Sequence, residues 1–438
     1  MSLDLYDDIT EEHAEEAIFL WHLRTLATRQ PHYLLDDLDL LDNRIAAHVG
    51  GLRINAEVGW AACRELLTDT DMPAIAPLTL MALEAADHAN LESLFELAEH
   101  EPAFQPALES AFGWVSSQFL RGTVQAMLQS ASPLRRRIGI VCCAMHRVDP
   151  GPVLLSAIAD AEPALRARAL RSAGELGRLD LLECCLHSLA DENPACRYWA
   201  GASALLLGNR GRAVEALVAM GASTGPWQER ALRRVLKVLD ASAARTLLSP
   251  LTQQPAALRA AIQGVGHTGQ IVYCDWLIER MRSLETARLA AEAFTFITGA
   301  DLAELELERP PPEDVEYGPN DDPDDDNVAM DEDEDLPWPD ADKVAEWWRV
   351  QAPRFSEGIR YFLGEPPTRS HCLRVLRYGY QRQRIAAAQY LCLLEPGTPL
   401  FPVIAPAWRQ LRLLDEIGRR DEAEAPHLAP GRPKPACP

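Results

Sequence analysis

A proline recurs at a nearly constant interval through the middle of this chain. The prolines are Pro73, Pro102, Pro133, Pro163, Pro194, Pro226 and Pro255, and successive ones lie 29 to 32 residues apart. A fixed period in this range is typical of stacked helical repeats, because one pair of short helices cannot bury its apolar side without a neighbour. The period therefore predicts an all-α fold, a solenoid in which helix pairs form a superhelical array.

The residues around each proline predict where the first helix of a repeat begins and ends. Proline suits the first helical turn, where its missing N–H would be unpaired anyway, and Asn193 before Pro194 can cap the helix. Gly177 follows Pro163 at the same offset as Gly208 follows Pro194. Glycine at this shared offset predicts the end of the first helix.

An arginine follows the proline in several repeats. These arginines are Arg136, Arg166 and Arg197, continued one residue later by Arg230 and Arg259. One interpretation is a basic row that binds an anion. The other is an internal ladder, in which each arginine meets the aspartate six residues before it, such as Asp160 or Asp191, or that of an adjacent repeat. The six-residue spacing favours the internal ladder.

Five regions are expected along the chain. They are a helical N-terminal capping unit (1–65), the repeat array (66–308), an acidic Pro-rich segment (309–342), a C-terminal helical region (343–424) and a disordered tail (425–438). A terminal unit of an array is expected to depart from the repeat pattern, because one of its faces has no neighbour. In the C-terminal region, helices are expected from 343 to 348 and again from 370 to 394.

The acidic segment dominates the charge of the protein. The formal net charge is −23, and 13 Asp/Glu with no Lys/Arg lie between residues 313 and 335, so the remaining chain carries −10. Such a composition cannot bury enough apolar surface to offset ordering, which predicts a mobile segment. Its carboxylates are the expected partner-binding residues: Glu313, Asp314, Glu316, Asp321, Asp322, Asp324, Asp325, Asp326, Asp331, Glu332, Asp333, Glu334 and Asp335. Trp347 and Trp348 are either an aromatic anchor for a partner or, as is favoured, part of the core.

Charge and composition exclude several classes of function. A strongly acidic chain is a poor ligand for nucleic acid or an anionic membrane, so neither is an expected partner. The chain lacks an apolar run long enough to span a bilayer and begins acidic, which favours a cytoplasmic protein. The 10 cysteines include no Cys-x-x-Cys pair, so reduced core thiols are expected and neither metal nor cofactor is predicted.

Two glycine motifs match catalytic patterns only formally. Gly221–Gly225 has the Gly-x-Ser-x-Gly form, but that motif needs a preceding strand, and here a predicted helix precedes it. Gly264–Gly269 has the Gly-x-Gly-x-x-Gly form, but Gly269 follows Pro255 at the offset that ends a repeat helix. Both are interpreted as joints of the array, so no catalytic residue is predicted and the chain is not expected to be an enzyme.

The repeat pattern over residues 66–295 resembles HEAT-like repeats. A narrower resemblance is to a bacterial HEAT-repeat family whose genes lie beside type VI secretion clusters. It is carried by His13-Ala14-Glu15-Glu16-Ala17, Phe19-Leu20-Trp21, Pro31-His32-Tyr33, Ile297-Thr298-Gly299 and Arg382-Gln383-Arg384-Ile385-Ala386-Ala387-Ala388. The resemblance implies work in the cytoplasm of a Gram-negative bacterium, near a toxin-delivery machine. That family has no established catalytic residues.

Three functional hypotheses follow. The first is an immunity protein that binds and neutralises a type VI secretion toxin, with a basic nuclease as the expected kind of partner. The second is an adaptor or chaperone that escorts an effector without inhibiting it. The third, disfavoured by charge and motifs, is a HEAT-like enzyme such as a bilin lyase. The oligomeric state, the binding face of the array and the packing of the C-terminal helices stay open.

Overall fold

The computed structural model describes residues 3–67, 72–312, 331 and 333–424. The described chain is all-helical. Its only β pairing consists of two isolated bridges, between Glu308 and Pro339 and between Phe362 and Glu365. The predicted α class is therefore confirmed.

Three helices precede the proline repeats. They are α1 (Leu3–Ala27), α2 (Leu35–Ile54) and α3 (Ala56–Glu65). Helix α1 packs along both α2 and α3. The buried Arg24 and Asp42 form an ion pair between α1 and α2, and Asp42 also accepts a hydrogen bond of 3.0 Å from Trp114 Nε1. Buried charges of this kind are stable only when they are paired, so Asp42 links the first unit to the repeats.

The repeats form two rows of helices. The first row is α4 (Ile75–Glu84), α6 (Gln105–Trp114), α8 (Pro133–His146), α10 (Pro163–Glu175), α12 (Pro194–Leu206), α14 (Gln228–Val235), α16 (Pro255–Thr268) and α18 (Ala287–Thr298). The second row is α5 (His88–His100), α7 (Thr123–Leu128), α9 (Pro152–Ile158), α11 (Leu182–His187), α13 (Arg212–Ala222), α15 (Ala241–Leu251) and α17 (Cys274–Arg280). Each first-row helix packs against the next one in the row.

The local signals of the sequence position the first-row helices. The repeat proline is the first residue of α8, α10, α12 and α16. The Asn193 side chain caps α12 by accepting hydrogen bonds from the backbone N–H groups of Ala195 and Cys196. Gly177 and Gly208 follow α10 and α12 with φ of +67° and +98°, which only glycine adopts readily. The predicted starts and ends of these helices are confirmed.

The C-terminal region contains four helices. They are α19 (Ala341–Gln351), α20 (Arg369–Tyr378), α21 (Gln381–Leu394) and α22 (Ala407–Glu424). The helices expected from 370 to 394 are α20 and α21, which are separated at Gly379. Gly379 is extended, with ψ of 163°, and the Gln383 side chain accepts a hydrogen bond of 3.1 Å from the Tyr380 N–H. This interaction caps α21, so α20 ends at Tyr378 and a new helix begins at Gln381.

The chain from Phe355 to Pro406 folds back across the ends of the first-row helices. Three backbone hydrogen bonds mark its course, from the N–H of Tyr361 to Gly269 O (2.7 Å), of Leu363 to Phe296 O (2.8 Å) and of Leu400 to Glu175 O (2.9 Å). The acceptors lie at the C-terminal ends of α16, α18 and α10, where helical carbonyls have no partner within the helix. The returning chain satisfies these carbonyls. The C-terminal region therefore folds back on the array.

The two ends of the described chain meet. Helices α20, α21 and α22 share one apolar core with α1 to α6. The Gln381 N–H donates a hydrogen bond of 2.9 Å to Tyr33 O in the loop between α1 and α2. His32 in the same loop lies 3.2 Å from the carboxylate of Asp335. The C-terminal helices are thus structural partners of the N-terminal unit.

Candidate functional site

The repeat arginines pair with the following repeat. The guanidinium of Arg166 on α10 contacts both carboxylate oxygens of Asp191 at 3.0 Å. Arg136 on α8 contacts Asp160 at 2.8 Å in the same way. Asp191 and Asp160 each lie just before the next first-row helix. For these two arginines the internal-ladder interpretation is confirmed, and the hydrogen bond from Arg166 holds the pKa of Asp191 below its ordinary value.

A second set of contacts fixes each ladder arginine to its own repeat. In every case one guanidinium nitrogen, Nη1, donates to two successive backbone carbonyls. The acceptors are Ser130 and Ala131 for Arg136, Asp160 and Ala161 for Arg166, and Asp191 and Glu192 for Arg197, at 2.7 to 3.0 Å. Arg197 therefore has the pose of the other two arginines.

Among the described residues, only the first two ladder arginines, Arg136 and Arg166, face an aspartate of the next repeat; each such arginine with its acceptor is called a rung. The residue three positions before the repeat proline is Asp160, then Asp191, then Ser223, then Thr252. The Ser223 hydroxyl donates to Ala219 O at 2.8 Å. None of the described carboxylates pairs with Arg197, which keeps only its two carbonyl contacts. The sequence analysis did not identify this missing carboxylate. The signal was present, since the position three residues before the repeat proline changes from Asp191 to Ser223.

An open pocket of about 440 Å³ lies beside Arg197. Its wall includes Leu189, Met220, Ser223 and Trp227. The Trp227 ring is stacked on buried Tyr198, with the ring centroids 4.6 Å apart. The guanidinium of Arg230 lies 5.3 Å from the centre of the Trp227 ring. The pocket thus combines one incompletely paired cation with a fixed aromatic face.

The acidic segment has a closed base. The Arg309 N–H donates to Trp338 O and the Asp340 N–H donates to Leu307 O, both at 2.9 Å. These bonds flank the bridge between Glu308 and Pro339. Residues 307–309 and 338–340 therefore lie side by side where the chain leaves the array and returns to it.

The last residues of the acidic segment are bound to the array. Asp333 receives two hydrogen bonds of 2.8 Å from Arg259 and is only 5% exposed. Asp331 pairs with Arg288 at 2.6 Å, and the Arg288 guanidinium lies over the Trp338 ring. A packed end differs from the mobile segment expected over 309–342. The reason is that two repeat arginines and one aromatic ring supply the contacts that this composition cannot make alone.

The expected partner-binding carboxylates divide into two groups. Asp331, Asp333 and Asp335 each contact another part of the chain, and both Glu334 and Asp335 are exposed. The remaining ones lie outside the described residues: Glu313, Asp314, Glu316, Asp321, Asp322, Asp324, Asp325, Asp326 and Glu332. The tail 425–438 also lies outside them. The structure thus assigns three of the expected residues to docking within the chain.

Trp347 and Trp348 pack against Phe294 at the end of the repeats. Their ring centres lie 6.0 and 5.8 Å from that of Phe294. Trp348 is buried and Trp347 is half-buried. The favoured interpretation of these rings as core residues agrees with this packing, and it places α19 against α18.

A second pocket, of about 340 Å³, lies on the first-row helices. Arg137, Arg168, Arg171 and Trp199 contribute to its wall. The Arg171 guanidinium lies 4.7 Å from the centre of the Trp199 ring. Arg137 is held by the carboxylate of Glu109 at 2.9 Å. Arginine and tryptophan are the residue types most enriched among energetically dominant contacts in protein interfaces.

Glu175 neutralises the arginines of this second pocket. Its carboxylate is 2.5 Å from Arg168 and 2.7 Å from Arg171. Burial by itself raises the pKa of Glu175, but the positive charges of Arg168, Arg171 and Arg147 outweigh it and lower that pKa to about 2. Glu175 is therefore ionised at neutral pH and pairs with two arginines of its own helix, α10.

The catalytic-looking glycine motifs are joints of the repeats. Helix α13 ends at Ala222, inside the Gly221–Gly225 motif. Helix α16 runs through the second motif to Thr268, and Gly269 ends it with φ of +64°. Neither motif follows a strand, which both catalytic patterns require. The interpretation of both motifs as joints is confirmed.

The thiols and histidines show no clustered chemistry in the described ranges. Every described cysteine is a free thiol, and burial raises the pKa of Cys63 and Cys185 to about 12. Burial also holds the pKa of His267 well below its ordinary value. Over the residues that the structure describes, no three His, Cys, Asp or Glu side chains lie together in a way that could hold a metal ion.

Two comparisons of the sequence with known proteins found no match. No protein-family model matches the sequence, and no curated protein matches it either. None of the described helices combines the length and the apolar character needed to cross a membrane. The described residues thus define an all-helical protein in which successive first-row helices pack together and the C-terminal region folds back on them.

Proposed function

We propose that this chain is a non-catalytic protein-binding scaffold with a HEAT-like α-solenoid fold. More specifically, we propose that it is a cytoplasmic immunity protein that binds and neutralises a type VI secretion toxin. The regular proline period and the pairing of ladder arginines with the next repeat support the solenoid. The resemblance of the sequence to a HEAT-repeat family beside type VI secretion genes supports the biological context.

One observation carries the binding role. The acidic segment is joined at its base through Leu307 and Asp340, and its end is bound to the array through Asp331 and Asp333. Eight further carboxylates lie in the sequence between residues 313 and 326. The described residues on both sides of this run are attached to the last repeats.

A concentrated negative charge of this kind suits a basic partner. Opposite charges steer two proteins together and raise the association rate, most strongly at low salt. Enzymes that cleave nucleic acid bind phosphates through basic surfaces. Carboxylates held over such a surface compete with the phosphates for it, so neutralisation needs no catalysis by the immunity protein.

The experiment is a test of toxicity and rescue with the gene next to this one. The neighbour is expressed from an inducible promoter in a host that lacks this chain, and then in the same host carrying it. We expect death without the chain and growth with it. Growth in both hosts, or death in both, contradicts the immunity role.

An adaptor role is a second candidate, favoured by the pocket around Arg137 and Trp199. This pocket lies on α8, α10 and α12, whereas the acidic segment is bound to α16 and α18. A protein with two separate binding surfaces can hold an effector and a secretion component together. Co-purification of both components with the chain, in the absence of toxicity from the neighbouring gene, supports the adaptor role over immunity.

A further inference from the structure

Two repeat arginines receive their carboxylates from a distant part of the chain. Arg259 pairs with Asp333, 74 residues later, and Arg288 pairs with Asp331, 43 residues later. The two arginines lie near the starts of neighbouring first-row helices, α16 and α18. The two aspartates are two residues apart in sequence. This protein therefore already binds a short acidic segment across two adjacent rungs.

The two preceding rungs have the cations without the carboxylates. Arg197 on α12 and Arg230 on α14 lie near the starts of adjacent first-row helices. The acceptor positions that follow them are Ser223 and Thr252, where earlier repeats have aspartate. Within the described chain, neither guanidinium has a carboxylate partner.

The guanidinium of Arg197 is fixed by backbone carbonyls of its own repeat. Its Nη1 donates to the carbonyls of Asp191 and Glu192 at 2.7 and 2.8 Å. The same anchoring in Arg166 directs Nε and Nη2 at both oxygens of Asp191. Arg197 lines the 440 Å³ pocket, and Trp227 lies on the same wall. A guanidinium fixed in this way matches the planar, two-oxygen geometry of a carboxylate.

We propose that Arg197 and Arg230 form a docking site for an acidic segment of a partner protein. The segment presents two Asp or Glu side chains two residues apart, as Asp331 and Asp333 do, and packs an apolar side chain into the pocket beside Trp227. This site is separate from the acidic segment (309–342), and the proposal does not rest on the immunity role.

The observations favour an acidic peptide over a nucleic acid. The precedent inside the molecule is a pair of aspartates on neighbouring rungs. A pocket wall of Leu189, Met220 and Trp227 suits an apolar side chain beside the charge. A phosphate polymer carries charge along its whole length and is repelled by a protein of net charge −23.

The test uses a fluorescein-labelled peptide with the sequence of residues 331–339, titrated with the full-length protein and followed by fluorescence polarisation. We expect saturable binding, and at least about tenfold weaker binding by Arg197→Gln, since lost charged hydrogen bonds of this kind amount to that factor. Arg245→Gln, at an exposed position of α15, is the control and keeps the wild-type affinity. A peptide with Asn and Gln in place of Asp and Glu should not bind.

A second variant places a carboxylate opposite Arg197 and leaves Arg197 itself unchanged. Ser223→Asp restores the carboxylate that the first two rungs have, so it should pair with Arg197, raise the melting temperature and abolish peptide binding. Equal peptide binding by wild type, Arg197→Gln and Ser223→Asp overturns the proposal. Loss of binding only in Arg259→Gln also overturns it, because the peptide then replaces the internal acidic segment. Binding of a single-stranded DNA oligonucleotide in preference to the peptide overturns it as well.

Discussion

Arg166 joins two repeats through the two sides of its guanidinium. Nη1 is held by the carbonyls of Asp160 and Ala161 in its own repeat, and Nε and Nη2 contact Asp191 of the next. The pair is largely shielded from water, with side-chain exposures of 18% and 13%. Ion pairs at such positions depend on all their hydrogen bonds, because a lone charge left behind has lost its hydration.

Arg166→Gln should therefore destabilise the protein measurably. The variant leaves Asp191 without its charged donor, and we expect a loss of about 1–3 kcal/mol in the free energy of unfolding. Urea unfolding followed by circular dichroism measures it. Arg349→Gln removes an exposed pair with Glu346 on α19 and should leave the unfolding curve unchanged. Equal effects of the two variants would show that the ladder has no special role in stability.

Glu175 gives the protein a defined response to acid. Its pKa falls from an ordinary 4.5 to about 2 in the folded state. A carboxyl with a lowered folded pKa stabilises the fold above its unfolded pKa, and this stabilisation is lost as the pH falls from about 4.5 towards about 2. Glu175→Gln should flatten the decline of stability with pH in that range. Glu183→Gln, at an exposed position of α11, is the control and should keep the wild-type slope.

At the scale of the helices, glycine performs two functions at the same positions. Gly177 ends α10 with a positive φ, and its Cα faces the backbone of Gly397 in the returning C-terminal chain. Gly299 likewise ends α18 against the backbone of Leu363. A side chain at either place is opposed both by the backbone conformation and by the neighbouring chain. The helix ends and the returning chain are therefore fitted to each other.

Two glycine-to-alanine variants separate these effects. Gly358 has φ of +82°, positive like the +67° of Gly177, but open space lies where its Cβ would be. Gly358→Ala should cost about 1–3 kcal/mol, the strain of a side chain at positive φ. Gly177→Ala should cost clearly more, since its Cβ also meets the backbone of Gly397. Thermal melts of both variants measure the difference, and equal costs would mean that the returning chain packs loosely at Gly177.

The elements differ in how well the sequence alone predicts them. The starts and ends of α10 and α12 follow from local signals, namely proline, the Asn193 cap and a glycine at a fixed offset from the proline. The return of the chain past Gly177 was not predicted, because it depends on contacts between residues far apart in sequence. The docking of Asp333 on Arg259 was missed for the same reason. Composition describes the acidic segment in isolation, whereas Asp331 and Asp333 are held by arginines of the repeats.

The candidate site shows the same division. The ladder arginines were found from spacing, and the choice between anion binding and internal pairing was made correctly for Arg136 and Arg166. The different state of Arg197 depends on what stands opposite it in the next repeat. Ser223 becomes informative only after the structure shows that the partner of each arginine belongs to the following repeat.

At the scale of the whole molecule, the array is closed by its own C-terminal region. Simple helical repeats contact only their neighbours, so terminal repeats can be removed with a graded loss of stability. Here Leu376 and Leu391 of α20 and α21 are buried in the same core as Trp21 and Leu38 of the N-terminal unit. The two ends should therefore fold and unfold together.

Truncation before Phe355 tests this coupling. Removal of residues 355–438 uncovers the apolar core of α1 to α6 and the carbonyls at the ends of α10, α16 and α18. We expect aggregation or a broad, early thermal transition, measured by circular dichroism and light scattering. A shortened protein that stays monomeric and melts cooperatively near the wild-type temperature would contradict the coupling.

The central claim is that the acidic segment captures a basic toxin. It is tested most directly by the association rate between the purified chain and the toxin encoded by the neighbouring gene. The rate is measured at low and high salt, for the wild type and for a variant in which a Gly/Ser linker of equal length replaces residues 313–330. This variant keeps Asp331, Asp333 and the closed base. For the linker variant we expect a slower and less salt-dependent association and an unchanged melting temperature. A rate at low salt equal to that of the wild type would contradict capture by the acidic segment.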